Sequence, residues 1–88
     1  MLFDTFRMGS LELPNRIVMA PMTRCRAGQP GDVPTELMAE YYAQRASAGL
    51  IISEGTPVSA TAPGYLWTPG LFSEAQVVGW RRVNEAVQ

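Results

Sequence analysis

The chain has 88 residues, 47% of them hydrophobic and 17% charged, with a formal net charge of −1; this is enough for one small domain and is not basic enough to suggest a nucleic-acid partner. It has no His, and all seven cationic side chains are Arg, so it cannot by itself build a Ser-His-Asp triad, a Cys-His pair or a His metal site. Its single cysteine, Cys25, excludes an internal disulfide and a multi-cysteine zinc or iron–sulfur cluster.

Met1 to Thr5 lacks the basic region and long apolar run of a signal peptide. No stretch approaches the roughly 18 consecutive apolar residues of a membrane helix. The expectation is a soluble, cytoplasmic protein with no membrane partner. Phe6-Arg7-Met8 and Leu11-Glu12-Leu13 flank Gly9-Ser10 as a hairpin, with Gly in the first loop position as a II′ turn requires. A buried strand follows over Arg16 to Ala20, and its apolar run Ile17-Val18-Met19 suits a parallel strand covered on both faces. A polar loop rich in Pro and Gly covers Arg24 to Pro34.

A helix is predicted from Pro34-Thr35 to about Ala48, with Leu37, Met38, Tyr41, Tyr42 and Ala46 on one face. Gly49 stands where a left-handed C-terminal cap would fall. The second strand, Leu50 to Glu54, begins at once, which is the tight return of a βαβ unit. A second long loop covers Thr56 to Ser73. Ser73-Glu74-Ala75-Gln76 reads as a capping box, opening an amphipathic helix that carries Val77, Val78, Trp80, Arg81, Val83, Ala86 and Val87.

Both strands end in the same manner. The first runs into Pro21-Met22-Thr23-Arg24 and the second into Gly55-Thr56. In α/β proteins ligands sit at the carboxyl ends of strands, so Thr23 and Gly55 are placed for binding. The strands begin at Arg16 and Leu50, a spacing expected of repeated βα modules. The long loops follow strands while the αβ return is short, as in a (β/α)8 barrel. Such a barrel needs eight units and about 250 residues. Two units would leave sheet edges open, so the expected fold class is α/β: an N-terminal hairpin plus the first two βα units of a TIM barrel, incomplete in this chain. The expected divisions are 1–15 for the hairpin plug, 16–49 for the first unit and 50–88 for the second.

The segments Leu13 to Arg24, Gly31 to Thr35, Tyr41 to Gly55 and Gly64-Tyr65 resemble, in order, the Old Yellow Enzyme family of FMN-dependent ene-reductases. The likeness covers essentially the whole chain. Thr23, with no cysteine in its place, resembles the branch without an additional iron–sulfur cluster. The resemblance implies FMN as cofactor, NADPH or NADH as reductant, and a small activated alkene as substrate. It implies cofactor-binding roles for four residues. Thr23 would donate to the flavin C4 carbonyl oxygen, the backbone of Pro21 and Met22 would lie against the flavin with the Met22 side chain over the ring, and Gly55 would present its N–H. Tyr65 would line the substrate side, with Trp67 near the pocket wall.

Each residue also has a plainer reading: Thr23 as a loop residue capping its own backbone, Met22 and Tyr65 as packing, Gly55 as a strand-ending turn. The family's carbonyl-binding pair, proton-donating Tyr, pyrimidine-edge Gln and phosphate-binding Arg match nothing in these 88 residues. No catalytic residue and no metal ligand is therefore expected here, and the remaining barrel segments are expected partners. The alternative is a non-catalytic, truncated or split half-barrel that folds and binds flavin only with partner segments. Tyr41 and Tyr42 read as core. Glu54, at the inner end of a buried strand, needs a partner, and Arg16 or Arg24 is the expected one. Cys25, between Arg24 and Arg26, reads as an inert thiol.

Overall fold

A computed structural model describes residues 1–61 and 66–88. Strands β1 (Phe6–Met8) and β2 (Leu11–Leu13) form the expected antiparallel hairpin, with Phe6 opposite Leu13 and Met8 opposite Leu11. Gly9 has φ of 62°, the left-handed value required of the first position of a II′ turn. The Arg16 guanidinium lies 5.3 Å from the centroid of the Phe6 ring and ties the hairpin to the following strand.

Strand β3 (Val18–Met19) pairs in parallel with β4 (Leu50–Ile51), Val18 opposite Leu50 and Met19 opposite Ile51. The N–H groups of Gly49 and Ile52 extend the ladder to the carbonyls of Ile17 and Met19, at 2.8 and 3.1 Å. Both strands are shorter than the sequence suggests, because side chains take over the backbone groups at their ends. Asn15 Oδ1 accepts from the N–H of Ile17 at 2.9 Å, its amide donates to Ser47 O at 2.8 Å, and the N–H of Glu54 is held by Tyr42 rather than by a strand. Nor is the pair covered on both faces. Met19 and Ile51 pack on the helices, whereas Val18 and Ile52 are 47% and 45% exposed.

Helix α1 (Glu36–Ala43) is capped by the Thr35 hydroxyl, which accepts from the N–H of Met38 at 3.2 Å. It stops short of the expected Ala48. The chain tightens into i−3 turns there, Arg45 to Tyr42, Ala46 to Ala43 and Ala48 to Arg45, each at 3.0–3.1 Å, a common way for a helix end to satisfy its carbonyls. Its buried face is Met38, Ala39 and Tyr42; Leu37 points to solvent. Gly49 is not a left-handed cap, since its φ is not positive. Glycine is needed because a Cβ would collide with the Asn15 carbonyl.

Helix α2 (Glu74–Val87) opens with the expected capping box, Ser73 Oγ accepting from the N–H of Gln76 at 3.2 Å and Gln76 Oε1 accepting from the N–H of Ser73 at 3.0 Å. Val77 and Val78 are exposed; the buried stripe is Gln76, Gly79 and Val83. Tyr42, Met38, Ala39 and Val83 form the core between α1 and α2, with Trp80 and Val87 packed against them. Gly79 lets α2 approach Pro34, whose carbonyl oxygen would lie 2.7 Å from a Cβ there. Gln76, fully buried, also accepts from the N–H of Phe72 at 2.9 Å and donates to Gly31 O at 2.8 Å, fastening both long loops to the helix. Among the described residues no helix is long and apolar enough to cross a membrane.

Candidate functional site

The parallel pairing of β3 with β4 sends both strand ends to the same side of the molecule. Pro21, Met22 and Thr23 emerge beyond β3, and Gly55 beyond β4, all four exposed. A Cβ built on Gly55 would lie 3.7 Å from Thr23 Oγ1, so the hydroxyl and the glycine face a common space. Thr23 and Gly55 are thus brought together, with Met22 presenting an exposed thioether beside them. Tyr65 lies outside the described residues. Trp67 is exposed, with φ of 59°, and its carbonyl accepts from the N–H of Ala27 at 3.0 Å.

Gly55 differs from the other described glycines. Gly9 and Gly31 have positive φ, and a Cβ at Gly28, Gly49, Gly70 or Gly79 would meet atoms closer than 3.0 Å. Gly55 has neither constraint: its φ is not positive and 3.7 Å is an ordinary contact. Nothing in the described chain demands glycine at this position. Its openness leaves backbone accessible to an external group.

The residue before Gly55 is Glu54, only 3% exposed. The expected arginine partner is not there: Arg16 covers Phe6 and Arg24 stacks 5.7 Å from the Tyr41 ring centroid. The partner is instead Tyr42, whose hydroxyl donates to Glu54 Oε2 at 2.8 Å and accepts from the Glu54 N–H at 3.1 Å. The hydroxyl of Thr56 donates to Glu54 O at 2.9 Å, while Oε1 has no partner among the described residues. Burial above all, with the Glu54 N–H opposing and the Glu54 carboxyl adding, raises the Tyr42 hydroxyl from its usual 10.0 to about 12. Tyr42 therefore remains a neutral donor at ordinary pH. Sequence reasoning placed Tyr42 in the core and missed this pairing. The available signal was a polar tip on a buried helical face, which needs a partner.

At the strand ends the chain offers an exposed hydroxyl, an accessible stretch of backbone and a soft apolar side chain. Such a set suits a flat ring system with a polar edge. Cys25, at φ of 57°, is a partly buried free thiol following this segment.

Comparison with known proteins identifies relatives that match nearly the whole chain. The chain is 49% identical to flavin oxidoreductase hxnT of Emericella nidulans and 48% identical to 12-oxophytodienoate reductase 7 of Oryza sativa subsp. japonica, each over 98% of this chain. It spans 23% and 22% of their lengths, about a quarter. Among solved structures, morphinone reductase in complex with tetrahydroNAD superposes with a TM-score of 0.91 at 57% identity, over 98% of this chain and 23% of that one. The old yellow enzyme homologue from Zymomonas mobilis gives 0.91 at 56% identity, over 98% and 24%. The hairpin and two βα units are accordingly the matching portion of a (β/α)8 barrel of the Old Yellow Enzyme type. The family model described as NADH:flavin oxidoreductase / NADH oxidase matches residues 1–88, and the chain belongs to that family.

Proposed function

We propose that Pro21, Met22, Thr23 and Gly55 form the first part of an FMN platform in an NAD(P)H-dependent ene-reductase. The observation that carries this reading is Gly55, a glycine with no steric or conformational reason among the described residues, facing the exposed Thr23 hydroxyl. The residues fit the group: Thr23 would hold the C4 carbonyl oxygen, the open backbone at Gly55 would meet the ring, and Met22 would cover it with a polarizable side chain. When bound, FMN would supply the hydride chemistry linking NADPH or NADH to the activated C=C of an α,β-unsaturated carbonyl or nitroalkene, with the balancing proton supplied by another barrel segment.

The chain's own residues contribute position and electrostatics. A hydrogen bond from Thr23 to the carbonyl edge favours the more electron-rich, reduced cofactor. Pro21 fixes the direction in which the chain leaves β3. With no His in the chain, a His-based substrate-carbonyl anchor must come from other barrel segments. The 88 residues hold part of a site and act together with those segments.

The test is a chimera in which residues 1–88 replace the matching segment of morphinone reductase. It is expected to bind one FMN per barrel and to oxidise NAD(P)H in the presence of 2-cyclohexenone. Gly55→Val in that chimera should weaken FMN binding by roughly tenfold or more, the equivalent of about 1.4 kcal/mol, without loss of folding, because the described chain leaves room for the side chain. Unchanged FMN affinity in the Val variant rejects the platform.

A further inference from the structure

We infer that Tyr42, acting through Glu54, is a positioning residue that fixes the Gly55 end of the platform from the helix layer. This inference rests on the FMN platform proposed above. It is carried by the unusual economy of one hydroxyl. The same Tyr42 oxygen donates to the Glu54 carboxyl at 2.8 Å and accepts from the Glu54 backbone N–H at 3.1 Å. Two bonds from one atom to the side chain and main chain of one residue hold that residue's backbone orientation as well as its location. The Thr56 hydroxyl takes the Glu54 carbonyl at 2.9 Å. Both main-chain polar groups of Glu54 are therefore engaged, and the peptide that carries the Gly55 N–H follows directly from it.

The anchor is rigid at its other end. Tyr42 is 2% exposed, belongs to the core with Met38, Ala39 and Val83, and meets Trp80 of α2 at a ring-centroid distance of 6.4 Å. The bonds lie in a buried, poorly solvated setting, where hydrogen bonds are electrostatically stronger than in water. Oε1 has no partner among the described residues, so within them Tyr42 is what holds the carboxyl. The link runs from helix core to Tyr42, to Glu54, to the Gly55 peptide. Sites that must be held within about 0.5 Å of their working geometry depend on supporting contacts of this kind.

The deciding experiment uses the same complete chimeric barrel and two readouts: amide hydrogen exchange of the segment spanning Glu54 and Gly55 in the FMN-free form, and the FMN dissociation constant. Tyr42→Phe keeps the ring and removes both bonds. It should accelerate exchange of the Glu54 amide about tenfold and weaken FMN about tenfold, as expected when two hydrogen bonds are lost. Glu54→Gln, which retains an acceptor for the hydroxyl and the same N–H, should restore protection to within about threefold of the parent. Leu13→Ala, at a buried position in β2 outside the Tyr42 cluster, lowers stability without touching the anchor and should leave FMN affinity unchanged. The inference is overturned if Tyr42→Phe alters neither readout, or if Leu13→Ala reproduces its loss of FMN. A parent chimera that binds no FMN defeats the platform itself, and the exchange measurement still reports whether Tyr42 holds the Glu54 backbone.

Discussion

The helix layer and the strand ends use their polar and small residues in opposite ways. In the helix layer Gln76 is fully buried, and its amide is consumed by Phe72, Ser73 and Gly31. Gly79 is there because Pro34 leaves no room for more. At the strand ends Thr23 is exposed and Gly55 has space around it, so neither is explained by packing among the described residues. Residues that a fold uses internally are accounted for by their neighbours. Residues at a strand end that the fold does not use are the ones to assign to a ligand. Glu54 sits at the boundary between the two regions, with one oxygen held by the helix layer and the other unclaimed among the described residues.

The contrast can be broken most forcefully at Gln76. In the chimeric barrel, Gln76→Leu removes the partner of two N–H groups and one carbonyl in part-buried bonds, each contributing about 0.5–1.5 kcal/mol. Denaturant unfolding should show a loss on the order of 2 kcal/mol or more; a loss below about 1 kcal/mol would mean the two loops are not fastened through this side chain.

A smaller effect should appear at high pH. The pKa of the Tyr42 hydroxyl is raised in the fold from 10.0 to about 12, so the folded state retains a proton that the unfolded chain gives up. That contribution to stability is fully present below pH 10 and is lost as pH rises from 10 toward 12. Tyr42→Phe should flatten this part of the unfolding-against-pH curve. An alkaline limb identical in the two proteins would remove Tyr42 as its source.

Much of the helix layer was legible in the sequence because its signals are local. Thr35 and the Ser73 to Gln76 capping box announce helix starts within four residues, and Gly9 announces the hairpin turn. The parallel pair followed from two apolar runs separated by a helix. What escaped depends on distant parts of the chain. The role of Gly49 comes from the approach of Asn15, and that of Gln76 from the placement of Gly31. The partner of Glu54 was sought among nearby arginines on grounds of charge, yet Arg16 and Arg24 are engaged with aromatic rings and the neutral Tyr42 hydroxyl fills the position. The one-sided covering of β3 and β4 was likewise invisible in an apolar run that reads the same whether one face or two are packed. At the candidate site the strand ends themselves gave Thr23 and Gly55. Their mutual approach required the register of β3 on β4.

The most direct test of the platform is the midpoint potential of FMN in the chimeric barrel with and without Thr23→Ala. Thr23 is exposed and its removal should change stability by no more than about 0.5 kcal/mol, so the readout isolates the cofactor. A hydrogen bond to a charged group contributes about 1.5–3 kcal/mol, and about 30 mV corresponds to 1.4 kcal/mol for a two-electron couple. Loss of the Thr23 hydroxyl should lower the midpoint on the order of 30–60 mV. An unchanged potential in a stably folded, FMN-loaded variant would contradict the platform.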